Sequence, residues 1–446
     1  MWIERLKIQN IRSFDLQQLS FTHDNGEPYR WVTLLGENGG GKSTVLQALG
    51  LLMAGPEGAQ TLVPRPVGWL RDESKLGYLT VRFHQGSKDP GKAKGSSKAI
   101  GYTLLVTGTG RLSWKNEVYT EPTILGWPSR SLSWLRENTF SSRGQGWFSA
   151  GYGAFRRLTR SHQVIVPSLE PQARYTNFLT QFNEDEPLAT FERWVLYLDY
   201  VSARGGRNSS QARRQRDLGI DAINRMLPSG TRFDSVNEQG RILFDVGGRK
   251  VPTIAMSDGY RSILALAGDL IWRLIQAFPK STNPLHEEGV VLIDELDIHL
   301  HPRWQRYIAG WLREQFPKLQ FFVATHSPFV AAGAGKDALT LRLTLEEGVT
   351  RVEQVETPAA LSVDGILQSE AFGQLSPYSP PTQAAIDRYD ALARKKKRSQ
   401  AEQKEFARLR AFMQQARPLG GPPEPGSLDA RLEAYIDKAL QGKGRG

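Results

Sequence analysis

The alternation of hydrophobic and polar residues predicts a β-rich start for this chain. Residues Met1–Ile8 alternate charged and apolar side chains, which is typical of a β-strand rather than of a cleaved signal. A short apolar run, Trp31–Leu35, ends at a glycine and predicts a buried strand. Apolar positions at helical spacing predict a helix over Thr44–Leu52, and two further strands are predicted at Leu79–Phe83 and Tyr102–Val106.

The pattern changes twice along the rest of the chain. Residues 126–250 are irregular, with helical periodicity around 187–202 and 210–227. An α/β pattern resumes over 251–356, and residues 357–446 are mostly helical. The sequence contains neither a heptad repeat sustained over many turns nor an apolar stretch of about 18 residues. These two observations argue against a long coiled coil and against a transmembrane helix.

Composition narrows the possible functions only a little. A length of 446 residues corresponds to roughly three domains. The absence of cysteine excludes disulfides, a cysteine nucleophile and thiolate metal sites, and it fits a cytoplasmic protein. The net charge of +11 allows a polyanionic partner.

A complete phosphate-binding motif lies between a predicted strand and a predicted helix. The segment matches G-x-x-x-x-G-K-[ST], in which glycines let backbone N–H groups approach phosphate oxygens and the helix N-terminus adds a positive field. Lys42 would reach the β- and γ-phosphates of ATP, and the Ser43 hydroxyl would bind Mg²⁺. The predicted nucleotide-binding residues are Gly36, Glu37, Asn38, Gly39, Gly40, Gly41, Lys42, Ser43 and Thr44. The alternative is a glycine-rich turn that holds a lysine by chance.

Two adjacent carboxylates end a second apolar run. Gly289–Ile293 predicts a strand, and Asp294 and Glu295 follow it directly. Because adjacent strand residues point in opposite directions, one carboxylate can face a metal ion and the other a water molecule. We assign Asp294 to the Mg²⁺ shell and Glu295 to activation of the attacking water. The alternative, a strand that ends at the surface, is less favoured beside a phosphate-binding motif.

A histidine follows the next apolar run. Leu319–Thr325 predicts a strand, and His326 lies directly after it. A histidine at this place can donate a hydrogen bond to a γ-phosphate or to the attacking water. A lone histidine after a strand is more often an ordinary loop residue, but its position one strand after the acidic pair favours the catalytic interpretation.

A serine and a glycine stand at the start of the helix predicted over Ile263–Leu274. Ser257 and Gly259 offer a hydroxyl and free N–H groups to an anion. The same pattern is also that of an ordinary N-cap. The position of Ser257, 37 residues before Asp294, gives the motifs a recognisable order.

In that order the motifs resemble the ABC-type ATPase heads of the RecF and SMC kind. The residues that carry the resemblance are Gly36–Thr44, Ser257–Ser262, Leu292–Pro302 and Thr325–Pro328, and Ile8–Phe14 looks like the first strand of those heads. The resemblance implies an α/β fold, namely a P-loop ABC-type ATPase head that is split in sequence. It also implies that Arg12, Ser257 and Gly259 bind nucleotide, and that Lys42, Glu295 and His326 are catalytic.

The resemblance further implies a head-to-head homodimer. Two ATP molecules would lie between the phosphate loop of one subunit and Ser257–Gly259 of the other, and His301–Pro302 would lie at the dimer seam. Asp258 and Tyr260 depart from the L-S-G-G-Q signature of this superfamily, which leaves the hydrolysis rate open. No residue stands out as the Q-loop glutamine, for which Gln60 and Gln85 are weak candidates.

Within the superfamily, the chain looks like the compact bacterial ATPases of anti-phage systems such as the Septu type. Ala150–Arg157, Ser257–Ser262 and Ser369–Gly373 carry this looser resemblance. The 252 residues from Lys42 to Asp294 leave no room for a long coiled-coil arm. After His326 there is no acidic triad with the spacing of OLD-type nucleases. The resemblance implies a Mg²⁺-dependent ATPase that forms oligomers and regulates a separate effector nuclease. A RecF-like DNA repair clamp and a slow nucleotide-gated scaffold are the alternatives.

Four segments follow from these assignments. Residues 1–125 and 251–356 are predicted to form the two parts of the ATPase head. Residues 126–250 are predicted to be an inserted α-rich lobe, and residues 357–446 a helical, basic C-terminal appendage.

Two basic segments suggest DNA or RNA as a further partner. Residues 381–446 contain 14 basic and 8 acidic side chains, a difference of +6 out of the total of +11, and Arg394–Arg398 is the densest run. This run could contact phosphates or could be a solvated turn between helices. Arg204–Arg216 could line a nucleic-acid groove or lie in a disordered loop. Arg156 and Arg157 could support the nucleotide site or the dimer. No membrane partner is expected.

Overall fold

The chain divides into two compact units, Met1–Gln374 and Leu375–Gly446. The structure is a computed structural model, and it describes residues 1–86, 89, 99–110, 112–114, 117–140, 147–154, 173–183, 190–206, 209–359, 361, 363–373, 376, 378–395 and 397–416. Arg156, Arg157, Arg207 and Lys396 lie outside these described residues.

The first unit contains all the described strands and nine of the described helices. The strands are β1 (Trp2–Ile11), β2 (Phe14–Ser20), β3 (Trp31–Gly36), β4 (Gly77–His84), β5 (Ala99–Val106), β6 (Leu112–Trp114), β7 (Glu117–Tyr119), β8 (Ile124–Gly126), β9 (Ser149–Tyr152), β10 (Thr231–Val236), β11 (Ile242–Val246), β12 (Arg249–Pro252), β13 (Gly289–Ile293), β14 (Leu319–Ala324), β15 (Leu339–Glu346) and β16 (Val349–Val355). The helices are α1 (Lys42–Leu62), α2 (Arg130–Asn138), α3 (Leu179–Phe182), α4 (Thr190–Arg204), α5 (Ser209–Met226), α6 (Asp258–Ala277), α7 (Pro302–Gln315), α8 (Pro328–Gly333) and α9 (Val363–Leu367).

A six-stranded sheet forms the centre of this unit. Its order is β16-β15-β3-β14-β13-β9, and all pairs are parallel except the β15–β16 edge. Every residue of β13 and of β14 is buried. Continuous apolar runs of this kind are typical of parallel strands that are covered on both faces. The strands predicted at Trp31–Leu35, Gly289–Ile293 and Leu319–Thr325 are therefore confirmed.

Two hydrophobic cores cover the two faces of this sheet. Val290 and Leu292 of β13 pack into a core with α1 and the five-stranded antiparallel sheet β2-β1-β4-β5-β8. Val291 and Ile293 point to the other side, where α4, α5, α6 and α7 and the small sheet β10-β11-β12 form the second core. Because β3, β14 and β13 pair in parallel, their carboxyl ends lie at one edge of the sheet.

The predicted helices on either side of the sheet are confirmed and are longer than their apolar patterns indicated. The first, α1, continues to Leu62 through a break at Gly55 (φ 80°), which Pro56 follows. The second, α6, begins at Asp258 and buries most of its length. None of the described helices combines the length and apolar character needed to cross a bilayer.

The four-segment division stays a prediction, but the structure differs from it in three places. Residues 149–152, assigned to the inserted α-rich lobe, form β9, which pairs with β13 in the central sheet. The sequence Ser-Ala-Gly-Tyr has no apolar run, so its strand depends on pairing with β13 rather than on a local pattern. The segment predicted as the α-rich lobe also contributes most of the sheet β10-β11-β12, whose last strand ends at Pro252. The first compact unit extends past residue 357, to Gln374.

The second unit contains a pair of helices. These are α10 (Pro380–Arg394) and α11 (Gln400–Ala416). Tyr389 and Phe406 stack with their ring centroids 5.0 Å apart, and Arg388 donates to Glu405 at 2.8 Å. The two contacts join the helices side by side.

Candidate functional site

The phosphate loop lies between β3 and α1, as the motif predicts. Gly36, Gly39 and Gly41 have φ values of 147°, 79° and 98°, which L-residues rarely adopt. A Cβ atom at Gly36 would lie 2.2 Å from the carbonyl oxygen of Leu343 on β15. Glycine is therefore required at this position both by its conformation and by the close approach of the neighbouring strand.

The loop presents backbone rather than side chains at the start of α1. The N-cap residue is Gly41, so no N-cap side chain covers the N–H groups of the first turn. Residues 37–39 are exposed and Gly40 is buried, while Ser43 is half-buried and Thr44 is buried in the first helical turn. Such an N-terminus is suited to binding an anion.

Lys42 folds back over the loop. Its Nζ donates to the carbonyl oxygens of Gly36 (2.8 Å) and Glu37 (2.9 Å). Burial lowers the pKa of Lys42, and the nearby carboxylates of Asp294 and Glu295 oppose this shift. The lysine therefore lies between the loop and the acidic pair, where a phosphate group could replace the two carbonyls as its partner.

Arg12 lies beside the first turns of α1. Its Nη1 donates to Oε1 of Gln47 (2.8 Å) and approaches Oγ1 of Thr44 (3.4 Å). The guanidinium also lies 4.4 Å from the ring centroid of Trp69, and burial lowers the pKa of Arg12. The predicted contact with nucleotide stays a prediction, but the structure brings Arg12 next to the phosphate loop.

The acidic pair follows β13 at the same edge of the sheet. The backbone N–H of Asp294 donates to the carbonyl of Tyr152 on β9 (2.9 Å). Glu295 has a φ of 47°, which is uncommon for a non-glycine residue and indicates local strain. Burial and, secondly, the charge of Asp294 raise the pKa of Glu295, whereas His326 and Lys42 lower it. A carboxylate with this environment is a suitable general base.

His326 and the acidic pair are connected through Asp297. The backbone N–H of His326 approaches Oδ1 of Asp297 at 3.3 Å, and the Thr325 hydroxyl donates to the same oxygen. His326 is exposed and close enough to Glu295 to influence its pKa. Asp297 was not among the residues predicted from the sequence, although a third carboxylate in the run Asp-Glu-Leu-Asp was a visible signal.

Ser257 and Gly259 lie at the start of α6, where the motif predicts them. Ser257 is exposed and its side chain makes no capping hydrogen bond. A Cβ atom at Gly259 would lie 3.0 Å from the carbonyl oxygen of His299 and 3.0 Å from the Trp304 ring. The start of α6 therefore packs against the segment that follows the acidic pair.

Tyr260, one of the two departures from the signature, makes structural contacts. Its hydroxyl lies 3.0 Å from Oγ1 of Thr231 on β10, and its ring lies 4.5 Å from that of Trp304 on α7. Tyr260 thus connects α6 to the small sheet and to α7.

The basic segments are partly used within the protein. Arg216 forms ion pairs with Asp199 (2.5 Å) and Asp217 (3.0 Å), whereas Arg213 and Arg214 are exposed. In the second unit, Lys395 pairs with Glu402 at 2.6 Å, and Arg398 donates to the carbonyl of Leu392 at 2.6 Å. The Arg398 contact caps the end of α10, and the Lys395 pair joins it to the first turn of α11, which favours the interpretation of this run as a turn. Of the two glutamine candidates, Gln60 donates to the carbonyl of Ile124, on the strand β8.

The oxygen ligands at the start of α1 and after β13 fit magnesium. Ser43 supplies a hydroxyl and Asp294 a carboxylate, and hard oxygen ligands are those that Mg²⁺ prefers. Among the described residues, no group of three or more His, Cys, Asp or Glu side chains could enclose a metal ion. A site with one carboxylate therefore needs phosphate and water oxygens to complete the shell, as is usual for Mg²⁺ bound with a nucleotide.

Comparison with known proteins gives a family and several relatives. The family model described as "AAA domain, putative AbiEii toxin, Type IV TA system" matches residues 32–332. The chain is 27% identical over 415 residues to the Septu protein PtuA of Bacillus mycoides (strain KBAB4), which covers 92% of this chain and 50% of the relative. It is 30% identical over 149 residues to "Retron Vc95 probable ATPase" of Vibrio cholerae serotype O1 biovar El Tor, covering 33% of this chain and 29% of the relative.

The solved structures to which this chain is similar include SMC heads. The one titled "Crystal structure of the SmcHead bound to the C-winged helix domain of ScpA" has a TM-score of 0.48 and 16% identity, and the match covers 81% of this chain and 100% of that one. The chain spans half the length of the Bacillus mycoides relative and less than a third of the Vibrio cholerae relative.

Proposed function

Because the chain belongs to the family described as "AAA domain, putative AbiEii toxin, Type IV TA system", we propose that it is an ATPase of an anti-phage defence system. The observation that carries the ATPase part is the convergence of the phosphate loop, the acidic pair and His326 at one edge of the sheet. The Septu and retron names of its relatives support the defence part.

The phosphate loop would hold the triphosphate of ATP. The backbone N–H groups at the start of α1 would donate to the phosphates, and Lys42 would exchange its two carbonyl partners for β- and γ-phosphate oxygens. Ser43 and Asp294 would hold Mg²⁺, which neutralises phosphate charge when it is bound. Arg12 would add a positive charge beside Thr44.

Glu295 would act as the general base of hydrolysis. It would accept the proton of the attacking water, and its raised pKa makes it a stronger base than an exposed glutamate. His326 would donate a hydrogen bond to the γ-phosphate or orient the same water. General-base catalysis typically contributes about 10²–10⁴-fold to a rate.

A second copy of the chain would complete the site. We expect Ser257 and Gly259 of one subunit to contact the nucleotide bound by the other, since Ser257 is exposed at a helix start. ATP would thereby drive dimerisation of the heads. The resemblance to Septu-type ATPases implies a separate nuclease subunit that this assembly binds and regulates.

Substitution of Glu295 tests the ATPase mechanism. Glu295→Gln should lower kcat for phosphate release by about 10²-fold or more. Binding of a fluorescent ATP analogue should stay within a few-fold of wild type, because the phosphate loop is intact. Glu353→Gln, an exposed glutamate on β16, is the matched control and should leave both values unchanged. Unchanged turnover in Glu295→Gln would show that the assignment of the base is wrong.

Co-purification tests the regulatory proposal. The product of the adjacent gene should be retained by the tagged chain to a different extent with and without Mg²⁺ and ATP, and it should cleave nucleic acid. A chain that instead binds DNA junctions in the presence of ATP, with no nuclease partner, would favour a repair clamp. A Glu295→Gln variant with unaltered assembly would favour a scaffold with slow hydrolysis.

A further inference from the structure

We infer that Gln305 on α7 positions His326 through a closed ring of hydrogen bonds with Asp297, Thr325 and Ser327. The inference rests on the proposed ATPase mechanism, in which His326 and Glu295 act on the γ-phosphate and the attacking water. It adds residues that do not touch the nucleotide, and it gives helix α7 a part in catalysis.

One side of the ring joins the loop after β14 to the loop after β13. The Thr325 hydroxyl donates to Oδ1 of Asp297, and the backbone N–H of Ser327 donates to Oγ1 of Thr325 at 3.0 Å. His326 lies between these two residues, and its own N–H approaches the same Asp297 oxygen at 3.3 Å. Asp297 therefore holds Thr325 and the N–H of His326 directly, and Thr325 in turn holds the N–H of Ser327.

The other side of the ring passes through Gln305. The Ser327 hydroxyl donates to Oε1 of Gln305 at 2.7 Å. Nε2 of Gln305 donates to the carbonyl oxygens of Asp297 (3.2 Å) and Leu300 (2.9 Å). One amide side chain thus holds the His326 loop and the segment after the acidic pair at a fixed separation.

The chemistry of the partners allows only one arrangement of donors around the ring. Carbonyl oxygens only accept, so Nε2 of Gln305 must face Asp297 and Leu300, and its Oε1 must face Ser327. The Ser327 hydroxyl gives its proton to Gln305 and accepts from the N–H groups of Phe329 and Val330, the first turn of α8. A ring with a single proton arrangement holds its members more rigidly than one that can reverse direction.

Burial makes the ring hard to replace with water. As whole residues, Thr325 and Ser327 are 0% and 5% exposed. Loss of one partner would leave a buried polar group without a hydrogen bond, so the loop would shift to find another. Because the phosphate loop contributes none of these groups, such a shift should affect the chemical step rather than ATP binding.

Isosteric variants test the role of the ring. Thr325→Val and Gln305→Leu should each lower kcat about ten- to hundredfold, with KM for ATP within about twofold of wild type, because a small misplacement of a catalytic group costs this much. Thr325→Ser keeps the hydroxyl and should restore most of kcat. The matched controls are Thr107→Val and Gln320→Leu, which remove hydrogen bonds of the same kind to Thr123 and Ile3 and should leave kcat unchanged.

The outcomes separate this inference from the proposed function. If Glu295→Gln abolishes turnover while folded Thr325→Val and Gln305→Leu keep the wild-type kcat, the ring has no positioning role and the ATPase mechanism stands. A rise in KM at constant kcat in the ring variants would also show that the ring has no positioning role. An equal fall of kcat in the control variants would show the same. If Thr325→Val does not fold, the kcat values of Gln305→Leu and Thr325→Ser decide whether the ring positions His326. If Glu295→Gln keeps turnover, the proposed mechanism itself fails.

Discussion

The buried ion pair between Asp269 and Arg273 on α6 leads to a quantitative stability prediction. The side chain of Asp269 is 0% exposed and that of Arg273 is 18% exposed. Oδ2 of Asp269 accepts from Nε of Arg273 (2.5 Å) and from the Tyr152 hydroxyl (2.9 Å). Arg273 also donates to the side chain of Asn177, whose amide donates to the carbonyl of Ser149 (2.9 Å). The network therefore ties α6 to both ends of β9.

Removal of the carboxylate should be strongly destabilising. Asp269→Ala leaves the Arg273 charge and the Tyr152 hydroxyl in the interior without their main acceptor. Breaking one side of a buried ion pair typically costs about 3–5 kcal/mol, which is a large part of the 5–15 kcal/mol that usually separates folded from unfolded protein. Replacing both charges with apolar residues removes this penalty. Asp269→Leu with Arg273→Met should then lose roughly 1–3 kcal/mol for the unpaired Tyr152 hydroxyl, and less for the side-chain oxygen of Asn177, which loses its Arg273 donor but is only half-buried.

Urea unfolding followed by tryptophan fluorescence measures these differences. The chain has 11 tryptophans, and Trp194 and Trp272 lie in the same core as α6. Glu121→Ala removes one partner of the exposed Arg65–Glu121 pair in the same compact unit and is the matched control, with an expected cost below about 1 kcal/mol. If Asp269→Ala costs no more than this control, or if the double variant is less stable than the single one, the reasoning from burial is refuted.

Three further predictions concern the site and the second unit. Gly36→Ala should weaken binding of a fluorescent ATP analogue at least tenfold, because the new methyl group would lie 2.2 Å from the Leu343 carbonyl, and unchanged affinity would contradict this. The kcat/KM for ATP, which reports ionisation of the free enzyme, should fall as the pH drops through a pKa above the ordinary 4.5 of glutamate, since Glu295 would act as a base only when ionised and burial raises its pKa, so an acid limb at or below 4.5 in the kcat/KM profile would count against Glu295 as the base. Charge reversal of the three lysines at 395–397 tests the basic run, since undiminished salt-sensitive DNA binding would show that the run does not contact DNA.

Local patterns explain how much of the site the sequence predicts. The phosphate loop, the acidic pair and His326 each follow an apolar run, and each run is a parallel strand of one sheet. Since the carboxyl ends of parallel strands lie at one edge, motifs far apart in sequence come together without further information. Chemical roles for Lys42 and Asp294 could therefore be proposed from the sequence alone.

The parts that could not be predicted depend on tertiary contacts. The strand β9 has small residues and no apolar run, and it exists because it pairs with β13. Gln305 is one polar residue of an amphipathic helix, and only the fold places it against Ser327. Asp269 was a visible signal, since an acidic residue inside a long apolar helix needs a buried partner, but the sequence does not show that Tyr152 lies beside it.

The balance of charge at the site indicates what form of nucleotide it accepts. The carboxylates of Asp294, Glu295 and Asp297 all act on Lys42, and Arg12 adds the second positive charge beside α1. Three negative and two positive side chains give a formal charge of −1, which the N-terminus of α1 offsets by about half a charge. A free triphosphate would add several negative charges to a site that has no excess of positive ones. We therefore expect the nucleotide to bring a cation with it, and the oxygen ligands at the end of β13 are those that Mg²⁺ prefers. Burial is the main reason that the pKa of Glu295 is raised, and the negative charge of Asp294 beside it adds to the same shift.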